Sequence, residues 1–453
     1  MADLATKNSA VATEESGERK VKMRSLALDL VPMGSDEENR MADLKVTKTL
    51  PEGIESKMLY SDIIHIAWPS LVELTLTQLA SMVDLMMVGQ LGPWALTAVG
   101  LTTQPKFLLM TMFMAMNVGA TAMVARYKGA GNQKKADEVL RQALLMTFIL
   151  GCVFALIGFI AAPWLIKFMG ASEDHVLQAG VDYLRIQMIG LPGLALTSTI
   201  TATLRGVGNS KTAMIYNAMA NIINVFFNYM LIYGNFGAPR MEVAGASLAT
   251  IIGQYCAMFM AFYAVMNGQQ YIILRFRDGF KPNKEEIKKI VDIGAPAMVE
   301  QVVMRIGLII YTRTVAGLGT LPYAVHQVCL NIQSLSFMNG QAFAVSATSL
   351  TGQSLGKKRH DMAQAYTTRT RKLGMCVSIF LGVVFFFFGG QIVALYSGGD
   401  QSLVELGAVI MMFVAVVQPF QSSQLILAGA LRGAGDTKVT AAITFITVLL
   451  VRP

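Results

Sequence analysis

Asp84 is the residue in this chain whose type and place most invite chemistry. It lies inside an apolar run at residues 62–88. An ionised carboxylate at membrane depth is costly, so such a group faces a cavity or carries a bound proton or cation. The chemistry that follows is reversible binding of H+ or Na+. A second run, 212–233, carries Asn217, Asn221, Asn224 and Asn228. Their spacings of four, three and four put all four on one helical face. The stripe reads as a carboxamide wall beside Asp84 that lines a cation path. The competing reading is interhelical hydrogen bonding, worth about 0.6 kcal/mol each. A third run, 323–350, presents Gln327, Asn331, Ser334, Met338 and Gln341 on one face. These are candidates for the opposite wall of a substrate cavity, with packing as the alternative. Glu300 is a further cavity candidate. It also matches Glu73 in an internal repeat described below, which favours a structural role such as bonding a broken backbone near Pro69 and Pro296. Lys106, Arg185, Arg305 and Arg313 are membrane-depth cations. They are expected to pair with Glu73, Asp182 or Glu300, or to snorkel.

These residues need a membrane scaffold, and the composition supplies one. The chain has 453 residues, 54% hydrophobic and 15% charged, with mean hydropathy +0.50. Soluble domains sit near 45–50% and about 25%. Eleven apolar runs of helical length are legible, near 62–88, 97–123, 142–166, 176–202, 212–233, 244–266, 290–314, 323–350, 373–395, 403–429 and 439–453. A membrane β-barrel would show alternating segments of about ten residues instead. The fold class is therefore an all-α membrane protein. An ordinary soluble enzyme, a disulfide scaffold and a disordered chain are excluded. The four cysteines all fall in apolar runs and read as packing residues. No cleavable signal peptide opens the chain.

The loops at 125–141, 203–211, 270–289, 353–372 and 431–438 hold 21 Lys and Arg, whereas the intervening loops hold Lys167 and Arg240. The positive-inside rule places the basic loops and the N-terminus in the cytoplasm. The net charge of +8 is thereby accounted for without nucleic acid. Residues 1–57 form a polar tail with nine basic and eleven acidic residues, read as disordered apart from a short amphipathic helix at Val21–Met33.

The chain repeats itself at an offset of 227. Pro69 matches Pro296, Leu91-Gly92 matches Leu318-Gly319, and Leu204-Arg205-Gly206 matches Leu431-Arg432-Gly433. Ala120-Thr121, Gly129, Ala136, Gly180, Pro192, Gly208 and Lys211 keep the same offset. Six spans per repeat is an even number. The halves therefore enter from one side and are related by an axis along the membrane normal, as in secondary transporters with a site between them. The organisation read from this is an N-lobe at 58–269, a cytoplasmic linker at 270–289 attracted to anionic lipid, and a C-lobe at 290–453. On this reading the second lobe stops inside its fifth span, so about eleven helices are present and a twelfth is missing. Asp84 matches Tyr311, so the acid belongs to one lobe only.

No Walker loop, paired metal ligands or serine elbow is present. The two LRGxG segments read as hinges or packing turns, and His326 as a hydrogen-bonding residue. The 30 Met and 23 Phe fit a broadly specific binding surface.

The stretches VDLMMVGQLG at 83–92, GATAMVARYKGAGN at 119–132 and LRGVGNSK at 204–211 resemble the multidrug and toxic compound extrusion (MATE) family. GASLAT at 245–250, AVHQVCLNIQSLSF at 324–337, SATSLTGQSLGKKR at 346–359 and GALRGAGDTK at 429–438 match too, in a style like the bacterial DinF branch. The resemblance implies two pseudo-symmetric six-helix lobes and export of small amphipathic, often cationic compounds against H+ or Na+. It implies no other cofactor, no enzyme activity and a monomer in the cell membrane. It also implies that Asp84 binds the coupling ion, with Asn224, Asn228 and Thr250 beside it. Where the family often has Asn-x-x-x-Asp, this chain has Asn224 and Asn228, which removes one acid. The rival readings are a flippase for an anionic lipid-linked sugar, which needs a basic cavity, and an inactive fragment.

Overall fold

Long apolar segments in a bilayer must satisfy their backbone groups internally, and helices do so within one segment. The computed structural model describes residues 54–170, 173–317, 319–394 and 401–448, without side chains at 93, 276, 309, 313, 316, 320, 323, 324, 327 and 335. The expectations for the N-terminal tail, the end of the eleventh run, Arg313 and Gln327 lie outside what is described.

Eleven α-helices are present among the described residues. In the N-lobe these are α1 Ser56–Gly89, α2 Pro93–Gly129, α3 Gln133–Phe168, α4 Asp174–Gly206, α5 Ser210–Tyr233 and α6 Glu242–Met266. In the C-lobe they are α7 Lys284–Ala316, α8 Thr320–Gly356, α9 His360–Ala394, α10 Gln401–Gly433 and α11 Thr437–Ile446. Eight of them are long and apolar enough to cross a membrane by composition. The helix α4 carries Thr197, Thr199, Thr201 and Thr203, all buried inside the bundle. It is polar because it faces protein rather than lipid.

Most helices run well past the apolar stretches. A 36-residue helix such as α3 spans about 54 Å at 1.5 Å per residue, more than the ~30 Å hydrocarbon core. Two of them, α3 and α5, begin at asparagine N-caps. Asn132 and Asn209 each accept from a backbone N–H three residues on, at 3.2 Å. The turns Gly92 and Gly319, and Gly208 and Gly435, take positive φ at +123° and +116° and at +79° and +77°. The repeat is therefore kept at the level of backbone dihedrals.

Helices α1 and α7 pass unbroken through Pro69 and Pro296. This corrects the broken-backbone role expected for Glu73 and Glu300. Glu73 instead pairs with Arg205 at 2.7 Å, and Glu300 with Arg432 at 2.6 Å. Each member of the first pair stands 227 residues from its counterpart in the second. The Arg residues come from the LRGxG segments, so these segments pin the end of α4 to α1, and of α10 to α7.

The lobes meet through α1, α2, α7 and α8 at the ends bearing the basic loops. The contacts obey the repeat. A Cβ on Gly129 would meet Gln353 O at 2.0 Å, and one on Gly356 would meet Arg126 O at 2.0 Å. Gly119 approaches Ile290 O, and Ser346 Oγ donates to Ile63 O at 3.2 Å. Arg126 donates to Ala434 O, while its counterpart Gln353 donates to Gly206 O at 3.0 Å. The first turns of α1 and α7 are exchanged: Leu59, Ile63 and Ile66 pack into the C-lobe core, and Ile290 and Ile293 into the N-lobe core. Gly129→Leu is therefore expected to separate the lobes at this end while leaving the helices intact. A cysteine placed at the buried Ser349 should then label with an impermeant maleimide from the basic-loop side, and stay protected in the parent.

The linker is not a free loop, although its Arg275, Arg277, Lys281, Lys284 and Lys288 stay exposed. Ile272 and Leu274 are buried, Ile273 N–H donates to Asp137 at 2.8 Å, and Arg141 meets Asp278 at 2.5 Å. Gln142 binds Lys281 O and Asn283 N–H. The segment is strapped to the start of α3, and α7 begins inside it at Lys284.

Candidate functional site

Helices α1 and α5 run parallel with a constant register of 144 residues. Asn217 donates to Glu73 at 2.6 Å, Asn221 to Thr77 at 3.2 Å, and Asn228 to Asp84. The fourth asparagine, Asn224, falls opposite the small Ala80 in this register, which leaves its amide free to reach sideways. In the amide orientation that satisfies both ends, its Nδ2 donates to Asp84 Oδ1 and Oδ2 at 2.9 and 3.1 Å, and its Oδ1 accepts from Thr250 N–H at 3.2 Å. The Thr250 hydroxyl donates to Ala246 O at 2.9 Å. Asp84, Asn224, Asn228 and Thr250 thus form one cluster across α1, α5 and α6.

The cluster opens on a cavity of about 590 Å³ inside the N-lobe, bounded by α1, α2, α4, α5 and α6. Its wall holds Asp84, Asn217, Asn221, Asn224 and Thr250, and also Thr77, Tyr183 and Gln254, which sequence reasoning had not singled out. Asp84 and Lys106 are the only charged side chains among its described lining residues. Lys106 Nζ donates to Gln187 Oε1 at 2.9 Å and interacts electrostatically with Asp84. The expected partners Glu73, Asp182 and Glu300 are thereby corrected: Glu73 and Glu300 are held by Arg205 and Arg432, and Asp182 by Gln178. A signal for Lys106 was present. Its repeat equivalent is Gln333, so it is lobe-specific in the way that Asp84 is.

The C-lobe candidates are not brought to this cavity. Ser334 Oγ donates to Asn331 O of its own helix at 2.6 Å, and Asn331, Met338 and Gln341 line no part of it. Among the described residues, helix α8 bonds to the N-lobe through Ser346, Ser349 and Gln353 in its last third, and polar side chains before them bond within the C-lobe. Ser336 donates to Gln418 at 2.6 Å and Gln333 to Gln421 at 3.0 Å. Glu300 is buried in its ion pair and also lies off the cavity. At the position equivalent to Asp84, the ring of Tyr311 lies 5.1 Å from that of His326. Arg185 and Arg305 lie over the rings of Phe159 and Phe107 at 5.4 and 4.7 Å, a cation–π arrangement in place of the expected acids.

Two pseudo-symmetric helical lobes, closed against each other at one end, with one carboxylate and one ammonium in a largely apolar cavity of the first, define a membrane transporter rather than an enzyme. The MatE family model matches residues 69–230 and again 296–453, two segments that begin at the repeat offset of 227. The chain belongs to the MatE family. It is similar to the probable multidrug resistance protein NorM of Thermotoga maritima, 26% identical over 392 residues, which are 86% of this chain and 83% of that one. It is also similar to the multidrug resistance protein PmpM of Pseudomonas aeruginosa, 27% identical over 403 residues, 87% and 83% of the two chains. Among solved structures it shares its fold with an outward-facing multidrug resistance MATE family transporter, at TM-score 0.80, 21% identity and 89% coverage of both chains. A MOP superfamily transporter from Pyrococcus furiosus, described as having a binding pocket of reversed polarity, matches at TM-score 0.80, 22% identity and 89% coverage of both.

Proposed function

We propose that the chain exports small amphipathic, often cationic organic compounds across the cell membrane in exchange for inward-moving H+ or Na+. Asp84 is the coupling carboxylate, and Asn224, Asn228 and Thr250 hold it. The observation that carries this reading is one acid, lacking in the repeat-equivalent position of the other lobe, set on the wall of a largely apolar cavity and held by two asparagine amides. The N-terminus and basic loops are cytoplasmic by the positive-inside rule. The lobes then touch on the cytoplasmic side, and the arrangement is open outward. Rocking of the lobes about the pseudo-two-fold exposes the cavity alternately. The protein acts as a monomer in the bilayer and binds no nucleic acid. A flippase for anionic lipid-linked sugars would need a cluster of cavity-facing cations. Among the described lining residues Lys106 is the one cation, and Arg185 and Arg305 are engaged with aromatic rings.

The test is efflux of a fluorescent organic cation from vesicles holding the chain, under separately imposed proton and sodium gradients. Gradient-driven efflux above that of empty vesicles is expected. If neither gradient moves the dye, nor any of several amphipathic cations, the reading is wrong.

A further inference from the structure

We infer that Lys106 is a built-in cation that shares the N-lobe cavity with Asp84 and supplies the positive charge a metal ion would otherwise bring, so that the coupling carboxylate responds to protons and not to sodium. The inference rests on the proposed role of Asp84 and names its coupling ion.

Three features of the cavity carry it. First, its formal charge is already balanced: one carboxylate and one ammonium are the only charged groups in its described lining. Second, the groups turned toward Asp84 are N–H donors. Asn228 aims Nδ2 at the carboxylate, Asn224 does the same in the amide orientation that satisfies both of its ends, and the Asn228 Oδ1, pointing the other way, has no hydrogen-bond partner. A hard metal ion needs a shell of oxygen ligands. Binding one here would require both amides to turn over and surrender their bonds to Asp84. Third, Lys106 is anchored on Gln187, which is 2% exposed, so the ammonium is held in the cavity rather than snorkelling out.

Charge decides the outcome. A sodium ion sharing this cavity with an ammonium would meet a repulsion of about tenfold or more in affinity for any separation under about 12 Å at an effective dielectric constant near 20. A proton escapes both penalties. It needs no ligand shell, and it ends as a neutral carboxyl that still bonds to the amides. Protonating Asp84 also leaves Lys106 unbalanced, which turns the cavity net positive and repels a cationic cargo. That is the sign antiport requires. The further charge that approaches is the Arg305 guanidinium of α7, stacked on the lining ring of Phe107 and of the same sign as Lys106, so it too disfavours a metal ion. Tyr183 faces Asp84 from α4, and α5 and α6 offer amides and the Thr250 hydroxyl. Glu73 lies further along α1, held by Arg205.

The full chain is reconstituted as wild type, Lys106→Gln, Lys106→Arg and Asp84→Asn, and efflux of a fluorescent cation is read under a proton gradient alone or a sodium gradient alone. Wild type is expected to respond to protons and not to sodium. Lys106→Gln, which installs the residue of the repeat position Gln333, is expected to gain sodium-driven efflux by about tenfold. Lys106→Arg should keep the wild-type ion preference. Sodium-driven efflux by wild type, or an unchanged ion preference in Lys106→Gln, would overturn the inference while leaving the role of Asp84 standing. Full gradient-driven efflux by Asp84→Asn would instead remove the proposed function itself. Thermal unfolding of wild type in detergent supplies a readout independent of the variants. Sodium is expected to shift it no more than potassium does, and a sodium-specific stabilisation would also overturn the inference.

Discussion

Asp84→Asn reduces gradient-driven efflux to the level of empty vesicles. The substitution keeps the shape of the side chain and removes both its charge and its ability to bind a proton. Two consequences follow from the site. The Asn228 and Asn224 amides lose the anionic acceptor toward which both donate, and a carboxamide can accept from them only through its single oxygen. Lys106 is left without a counter-charge in the same cavity, which then carries a fixed positive charge in every state. A site with one fixed charge cannot couple a gradient to cargo, because no ion binding distinguishes its two conformations. The variant should still fold, since a half-buried polar group on a cavity wall contributes little to helix packing; a single monodisperse peak in detergent checks this. Asp84→Glu retains a titratable group but presses it about one methylene further into the amides, and slowed rather than abolished efflux is expected. Wild-type efflux rates in a well-folded Asp84→Asn protein would show that the coupling group lies elsewhere.

The second large effect is on stability. Glu73→Ala and Glu300→Ala should each destabilise the protein by about 3–5 kcal/mol, because each strands a buried guanidinium without its partner. The carboxylates are 6% and 4% exposed and the arginines 19% and 17%, so solvent cannot replace the lost charge. The two effects should be similar, since the pairs are repeat equivalents. Glu73→Ala is expected to be the worse by about 1 kcal/mol, because Asn217 also loses its acceptor. Removing both members, as in Glu73→Met with Arg205→Leu, should recover most of the loss, since no charge is then left buried. Thermal unfolding in detergent measures all three. A single substitution as mild as the double one would mean that water reaches the arginine and that the pair does not pin α4 to α1.

The helices, the repeat and the lobe-specific acid were all legible in the residues. Continuous apolar runs leave the backbone no alternative to helix in a bilayer, and an offset of 227 kept over so many positions implies two like lobes. The asparagine stripe of α5 was readable because helical period alone puts Asn217, Asn221, Asn224 and Asn228 on one face. The partner of that face was not readable from period. Only the parallel packing of α1 on α5, in a register of 144, sets Asn217 on Glu73 and Asn228 on Asp84. Helix ends were less legible than helix cores, since α3 and α8 continue through polar residues until Asn or Gly stops their neighbours.

The pairing of charges separates the two levels most clearly. From the sequence, Glu73 and Glu300 could be matched with several cations, and Lys106 with several acids. The tertiary structure assigns Arg205 and Arg432 to the glutamates and brings Lys106 into the cavity of Asp84. It leaves Arg185 and Arg305 on aromatic rings and turns the polar face of α8 away from the cavity. The physical reason is range. Helix formation and hydropathy are decided within a few turns of chain, whereas an ion pair is decided by which helices lie within a few ångströms of each other. Sequence alone determined that this chain is a two-lobed helical membrane protein with one unusual carboxylate. Which groups surround that carboxylate, and so the charge of the cavity it governs, was decided only by how five helices pack around it.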